Sequence, residues 1–127
     1  MKAIILFGHG ARNPDWAQPF HRIRDAIAAC EPAALVELAF LEMMRPTLDE
    51  AIDHLVGRGA TAISIVPVFM AAGTHVSKDL PLLAGAALDR HPELAISIAA
   101  PVGEAQPIIA AMAAYALSST FQSATDS

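Results

Sequence analysis

The sequence predicts a single α/β domain in which a parallel sheet of about four strands lies between two layers of helices. Two observations predict this class. Short apolar runs alternate along the chain with helical stretches that carry capping residues, which indicates the order β-α-β-α-β-α-β-α. Most of the apolar runs lack the polar alternation of a half-exposed strand, which is typical of parallel strands covered on both faces. Of the 127 residues, 54 % are hydrophobic, enough for one compact core.

Four apolar runs predict the strands, at residues 2–8, 34–41, 61–69 and 94–100. Three of them are apolar almost throughout. The run at 34–41 carries Glu37, and we expect it to lie nearer to an edge of the sheet. Successive parallel strands need right-handed crossovers, which the intervening helices supply.

Four helices are predicted at about 15–30, 47–57, 77–90 and 104–118. The first follows Asn13-Pro14-Asp15, a sequence typical of an N-cap, a first-position proline and a first-turn acid. The second begins with Thr47-Leu48-Asp49-Glu50, which matches a capping box. For the third, Ser77 is the expected N-cap, and Pro81 would then lie in the first turn, where a missing N–H is tolerated.

Composition limits the class of protein further. Residues 1–118 form the predicted domain, and 119–127, which lack hydrophobic periodicity, are expected to be a disordered tail. No apolar run approaches the roughly 20 residues of a membrane span, and the first residues lack a signal-peptide pattern. Because Cys30 is the single cysteine, the chain fits a reducing cytoplasm. The formal charge of −5 argues against nucleic acid as a partner.

Chemically versatile side chains follow the predicted strand ends, where open α/β sheets bind their ligands. His9 follows the first strand between two glycines, Glu42 follows the second strand, and His75 follows the third. Imidazole and carboxylate suit Co(II), Ni(II), Fe(II) and Zn(II), and three ligands leave coordination positions open. These three residues therefore predict a divalent-metal site whose members can also accept protons near neutral pH. The glycines are expected to permit a tight turn and to leave space beside the ring.

Structural roles are the alternative for each histidine. Either His9 or His75 could be a hydrogen-bonded turn residue. His21 and His54 lie within predicted helices, and His91 lies at a helix end where a cation is favourable, so we expect these three to be structural.

Cations and methionines gather at the same predicted edge. The cations are Arg12, Arg45 and Lys78, and the methionines are Met43, Met44 and Met70. These cations are either ordinary surface charges or a local site for a small anionic ligand, which the acidity of the whole chain does not exclude. The methionines either fill the core or form an adaptable apolar wall for that ligand.

The residues alone leave more than one function open. The chain has no GxGxxG, phosphate-loop or GxSxG pattern. A non-catalytic metal carrier could use the same two histidines and glutamate. A phosphoryl-transfer enzyme could use His9 as nucleophile, but histidine phosphatases have an arginine directly before that histidine, and Gly8 stands there in this chain.

Three blocks of sequence carry a family resemblance: ILFGHGARNP, VELAFLEMMRPTLDEAI and ISIVPVFMAAGTHVSKDLP. In this order and spacing, the chain resembles the short sirohydrochlorin chelatases of the CbiX/SirB type, within the class II chelatases, over residues 2–117. The resemblance implies a flavodoxin-like α/β sandwich. It also implies a lyase that inserts a divalent metal into sirohydrochlorin, a precursor of cobalamin and siroheme. One departure is Ala11, where many relatives have serine.

The resemblance implies residue roles as well. Metal and proton handling fall on His9, Glu42 and His75. The side chains that could contact the carboxylate-rich tetrapyrrole are Arg12, Arg45, Lys78, Met44 and Met70. Co(II) is the expected metal, with Ni(II) and Fe(II) as alternatives, and no cofactor is expected beyond this metal substrate. Because longer relatives hold two such halves in one chain, this half-length chain is expected to form a homodimer.

Overall fold

The four strands pair in parallel into one sheet with the order β2-β1-β3-β4. They span Lys2–Gly8 (β1), Leu35–Phe40 (β2), Ala62–Pro67 (β3) and Ala95–Ile98 (β4). This computed structural model describes every residue except Ala72 and Ser127, and it describes no side chain for residues 75 and 120–126. The predicted parallel sheet is confirmed, and β2 with its Glu37 forms one edge, as expected.

Four α-helices and two short 3-10 helices surround the sheet. The α-helices span Gln18–Cys30 (α1), Leu48–Gly57 (α2), Thr74–Arg90 (α3) and Gln106–Asp126 (α4), and the 3-10 helices span Pro14–Ala17 and Val102–Glu104. The capping box of α2 is confirmed: the Thr47 side chain accepts from the Glu50 N–H at 3.2 Å, and the Glu50 carboxylate accepts from the Thr47 N–H at 2.9 Å. Asn13 caps the first 3-10 helix by accepting from the Asp15 N–H.

The predicted start of α3 at Ser77 is wrong. The helix begins at Thr74, and Gly73 precedes it without any side-chain cap, so the sequence offered no capping residue by which to locate this start. In consequence Pro81 lies inside the helix rather than in its first turn.

The helix α4 continues to Asp126, past its predicted end at about 118. The backbone of 119–126 is therefore helical where a disordered tail was expected. The division into a domain of 1–118 and a separate tail stays a prediction, because the side chains beyond residue 119 lie outside the described part.

The core has two parts because successive side chains of a strand point to opposite faces. Right-handed crossovers place α2 and α3 on one face and α1 on the other. The α2/α3 side buries Ile5, Phe7, Ile52, Leu55, Ile63 and Ile65. The α1 side buries Leu6, Ala17, Phe20, Leu38 and Phe40. The predicted three-layer arrangement is thereby confirmed.

Carboxylates contact two of the histidines that were expected to be structural. His54 Nδ1 contacts the Glu37 carboxylate across α2 and β2. His91 Nε2 lies 2.8 Å from Asp53 Oδ1, which also accepts from Arg90 at 3.0 Å. These hydrogen bonds, from His91 first and then Arg90, lower the pKa of Asp53.

Within the described part of the chain, no helix combines the length and the apolar character needed to cross a bilayer.

We predict that Ile52→Ala lowers the free energy of unfolding by about 2–5 kcal/mol, because it leaves a cavity in the α2/α3 side of the core. Ile52 is fully buried there. Urea denaturation measures the change. Leu82→Ala is the control: Leu82 is exposed on α3, and its truncation should change stability by less than about 0.5 kcal/mol. Equal losses in the two variants would contradict this assignment of the core.

We also predict that Asp53 contributes to acid stability. Its lowered pKa means that its stabilisation is present above the ordinary aspartate range and is lost as the pH falls through the folded-state pKa. In Asp53→Asn, stability should therefore fall less steeply with decreasing pH than in the wild type. Asp25→Asn, on the exposed Arg24–Asp25 pair of α1, is the control. Unfolding midpoints measured across the acid range test this, and unchanged steepness in Asp53→Asn would contradict it.

Candidate functional site

His9 and Glu42 lie side by side at the carboxyl edge of the sheet, although they are far apart in the chain. The pairing of β1 with β2 continues past the last strand residues. The Leu41 N–H donates to the Gly8 carbonyl at 2.9 Å, and the Glu42 N–H donates to the His9 carbonyl at 3.1 Å. These two hydrogen bonds fix the backbone of one candidate residue against the backbone of the other.

The side chains of His9 and Glu42 also meet. His9 Nε2 lies 3.3 Å from Glu42 Oε1, and both side chains are about half exposed, at 54 % and 52 %. Two ligand atoms that share a divalent metal each lie about 2.1 Å from it, so at a near-tetrahedral angle they are about 3.4 Å apart. The observed separation therefore suits a shared cation that enters from solvent.

Both glycines that flank His9 are required by close packing. Gly10 has φ = 99°, and a Cβ there would lie 1.8 Å from the Glu42 carbonyl oxygen. A Cβ on Gly8 would lie 2.5 Å from Cζ of Phe20. The backbone at the end of β1 therefore packs closely against the Glu42 backbone and against Phe20 on the α1 side of the core. The expected space beside the half-exposed His9 ring stays a prediction.

Phe69 supports His9 and was not anticipated from the sequence. Its ring lies edge-on to the His9 imidazole with centroids 6.2 Å apart, and edge-on to Phe7 at 6.0 Å. The Phe69 carbonyl accepts from the Gly103 N–H at 2.9 Å, which joins the loop after β3 to the second 3-10 helix. The available signal was an aromatic residue just past the end of β3, the strand that pairs with β1.

His75 lies in the first turn of α3 rather than in a loop, and its side chain is outside the described part of the structure. Its helix begins beyond the carboxyl end of β3, which neighbours β1. A side-chain contact between His75 and the His9–Glu42 pair therefore stays a prediction. Among the side chains that are described, no three His, Cys, Asp or Glu residues form a metal-binding group.

The three candidate cations are all exposed but differ in their partners. Arg12 follows β1, and Lys78 lies near the start of α3. Arg45 Nε lies 3.6 Å from Glu50 Oε1. The pKa of Glu50 is lowered, chiefly by the hydrogen bond from the Thr47 backbone. Glu50 is therefore anionic at neutral pH, and it partly offsets the positive charge of Arg45.

The three methionines differ in burial. Met44 is half-buried and packs against the α1 side of the core, as a gap-filling methionine does. Met43, which has φ = 65°, and Met70 are largely exposed beside the site. Contact of Met44 or Met70 with a tetrapyrrole stays a prediction.

Comparison with known proteins identifies the family of this chain. Residues 3–119 match the CbiX family model. A sirohydrochlorin cobaltochelatase of Saccharolobus solfataricus is 37 % identical over 109 residues, which cover 81 % of this chain and 84 % of the relative. One of Methanosarcina acetivorans is 41 % identical over 78 residues, which cover 61 % of this chain and 60 % of the relative.

Solved structures share the fold. The cobalamin (vitamin B12) biosynthesis CbiX protein from Marinobacter aquaeolei VT8 superposes with a TM-score of 0.82 at 25 % identity, over 96 % of this chain and 99 % of that one. The sirohydrochlorin chelatase SirB from Bacillus subtilis subspecies spizizenii, solved in complex with cobalt, has a TM-score of 0.71 at 31 % identity. That match covers 80 % of this chain but 43 % of SirB. On the family match and these relatives, the chain belongs to the CbiX family.

Proposed function

We propose that this chain is a sirohydrochlorin cobaltochelatase, a lyase that inserts Co(II) into sirohydrochlorin. The observation that carries the proposal is the approach of His9 Nε2 to Glu42 Oε1, 3.3 Å apart and open to solvent, in a member of the CbiX family. The names of the archaeal relatives support the substrate and the metal. The cobalt complex of SirB supports the metal independently.

The first step of insertion is to hold the metal. Neutral imidazole and carboxylate can replace part of the water around Co(II) and still leave positions open for the incoming ring nitrogens. We assign His9 and Glu42 to this role together with His75, whose place in the first turn of α3 lies beyond the strand next to β1. Ni(II) and Fe(II) suit the same ligand types and are alternative substrates.

The second step is to remove two pyrrole N–H protons as the metal enters the ring. Histidine and glutamate can accept protons at neutral pH and release them to solvent. The half-exposed His9 and Glu42 side chains have this access. The same pair can therefore serve as ligand, as proton acceptor, or as each in turn.

The tetrapyrrole must also be held by its rim. Its carboxylates suit the guanidinium and ammonium groups of Arg12, Arg45 and Lys78. Of these, Arg12 and Lys78 should contribute most, since Glu50 partly offsets Arg45. A site that binds the bent macrocycle more tightly than the flat one lowers the insertion barrier.

We also propose a cellular location, a biosynthetic pathway and an oligomeric state for this enzyme. The single cysteine fits a cytoplasmic enzyme, and a Co(II) product would supply cobalamin synthesis, whereas an Fe(II) product would supply siroheme synthesis. The match to less than half of the SirB chain supports a homodimer, in which two copies take the place of two halves.

We predict that Glu42→Gln lowers kcat/KM for cobalt insertion by about 10²- to 10⁴-fold, because the amide is a poor ligand for the metal and accepts no proton. The absorbance change of sirohydrochlorin on adding Co(II) measures the rate. Glu93→Gln is the matched control and should leave the rate unchanged. Glu93 is exposed and precedes β4, so it lies at the amino-terminal edge of the sheet, opposite the candidate site.

The same assay separates a chelatase from a metal carrier. A carrier would bind Co(II) without accelerating the absorbance change above the protein-free reaction. Absence of acceleration by the wild type would overturn the proposed function, and an unchanged rate in Glu42→Gln would remove Glu42 from the mechanism.

We predict that Arg12→Ala raises the KM for sirohydrochlorin by about tenfold or more through loss of a charge-assisted contact, while the KM for Co(II) stays constant. Lys78→Ala should act in the same direction, and Arg45→Ala more weakly. Arg24→Ala, which removes a partly exposed arginine of α1 paired with Asp25, is the control. Equal losses of affinity for ring and metal in Arg12→Ala would indicate general damage to the site instead.

A further inference from the structure

Glu42 alone does not fix the orientation of the His9 imidazole. About half of the His9 side chain is exposed, and an exposed side chain can adopt several rotamers. The contact with Glu42 is a weak constraint, because the 3.3 Å between His9 Nε2 and Glu42 Oε1 is longer than a normal N–H···O hydrogen bond. A second contact is therefore required to keep Nε2 facing Glu42.

Phe69 supplies this contact from the side of the core. Its ring lies edge-on to the imidazole, with 6.2 Å between the ring centroids and 78° between the ring planes. Edge-to-face pairs of rings attract each other at this distance, because the positive edge of one ring meets the negative face of the other. The pair therefore favours one orientation of the imidazole, which an aliphatic side chain in place of Phe69 would not select.

The Phe69 ring is itself held by the core. It lies edge-on to Phe7, with 6.0 Å between the centroids and 89° between the ring planes. Phe7 is buried, and Phe69 is partly buried against the same α2/α3 side of the core. A rotation of the Phe69 ring would lose its packing against Phe7, so the ring keeps one position relative to the end of β1.

Backbone contacts hold the segment that carries Phe69 at two points. The Val68 N–H donates to the Phe7 carbonyl at 2.8 Å, which continues the pairing of β1 with β3 past the end of β3. The Phe69 carbonyl accepts from the Gly103 N–H at 2.9 Å. Gly103 also packs closely against Met70, because a Cβ on Gly103 would lie 2.0 Å from the Met70 carbonyl oxygen. The second 3-10 helix therefore fixes the backbone behind the Phe69 ring.

We propose that Phe69 is a positioning residue for His9, and that Gly103 holds Phe69 in place for this role. Phe69 keeps the imidazole in the orientation in which Nε2 faces Glu42, so that the pair is arranged for Co(II) before the metal arrives. Gly103 acts only through the backbone of Phe69 and Met70. The inference rests on the proposed function for the metal and the reaction, but not for the orientation of the imidazole.

Binding of Co(II) in the absence of sirohydrochlorin is the first test. Phe69→Leu keeps an apolar side chain but removes the aromatic ring, so the Kd for Co(II), measured by isothermal titration calorimetry, should rise about tenfold. Phe69→Tyr retains the ring and should keep the Kd of the wild type. Leu88→Ala is the matched control for lost packing, because Leu88 is partly buried against the same side of the core but lies near the far end of α3.

Gly103→Ala tests the support behind the Phe69 ring. The added Cβ must displace the Met70 carbonyl and with it the Phe69 backbone, so the Kd for Co(II) should rise as it does in Phe69→Leu. Gly85→Ala on α3 is the matched control and should leave the Kd unchanged, because nothing lies within 4 Å of a Cβ there. Far-UV circular dichroism checks that each variant is folded, and if Phe69→Leu is not, the comparison of Gly103→Ala with Gly85→Ala decides.

Two further measurements separate positioning from a merely structural role. The ring current of Phe69 shifts the NMR resonances of the His9 ring protons. In Phe69→Leu these resonances should move toward those of free histidine, whereas those of His21 on α1 should not move. In the insertion assay, the KM for Co(II) should rise about tenfold in Phe69→Leu while the KM for sirohydrochlorin stays constant.

Three outcomes overturn the inference. An unchanged Kd for Co(II) in Phe69→Leu would show that the ring does not position the metal ligand. A rise of equal size in Leu88→Ala would indicate a general loss of packing. A raised KM for sirohydrochlorin with an unchanged Kd for Co(II) would make Phe69 a substrate contact instead. Failure of the wild type to insert Co(II) would bear on the proposed function alone, because the Kd and the His9 resonances decide the positioning role without the reaction.

Discussion

The candidate site depends on the parallel pairing of β1 and β2 and on its continuation past both strand ends. Backbone hydrogen bonds from Leu41 and Glu42 to the carbonyls of Gly8 and His9 bring the two candidate residues, His9 and Glu42, together. The close approach requires glycine at position 10, where any Cβ would meet the Glu42 carbonyl. The chemistry at the edge is thus set by backbone geometry, which is less adjustable than side-chain rotamers.

The core supports the same edge from both faces of the sheet. Phe20, on the α1 side, lies against Gly8, and Phe69 links His9 to Phe7 on the α2/α3 side. The His9 imidazole therefore packs against the Phe69 ring, while its Nε2 faces Glu42 and solvent. A ring held by packing on one side and exposed at Nε2 suits the metal-binding role proposed for His9.

The two faces of the sheet are buried to different extents. The face under α2 and α3 holds the larger buried cluster, whereas the face under α1 keeps an aliphatic groove and a row of small residues. The chain also carries an uncharged helix with exposed apolar side chains. Both the groove and the helix therefore leave apolar surface exposed to solvent.

The sequence by itself determined the four strands, the capping box at Thr47, the edge position of Glu37, and the placement of His9 and Glu42 at one edge of the sheet. These features follow from periodicity, capping chemistry and the rule for parallel strand ends, which act over a few residues or through strand order alone. Only the tertiary structure decided why Gly8 and Gly10 are glycines, that Phe69 supports His9, that Met44 packs in the core and that α3 starts at Thr74. The first three features depend on contacts between segments that are distant in the chain, and local sequence patterns do not predict such contacts. The start of α3 has no capping side chain, so the capping rules could not locate it.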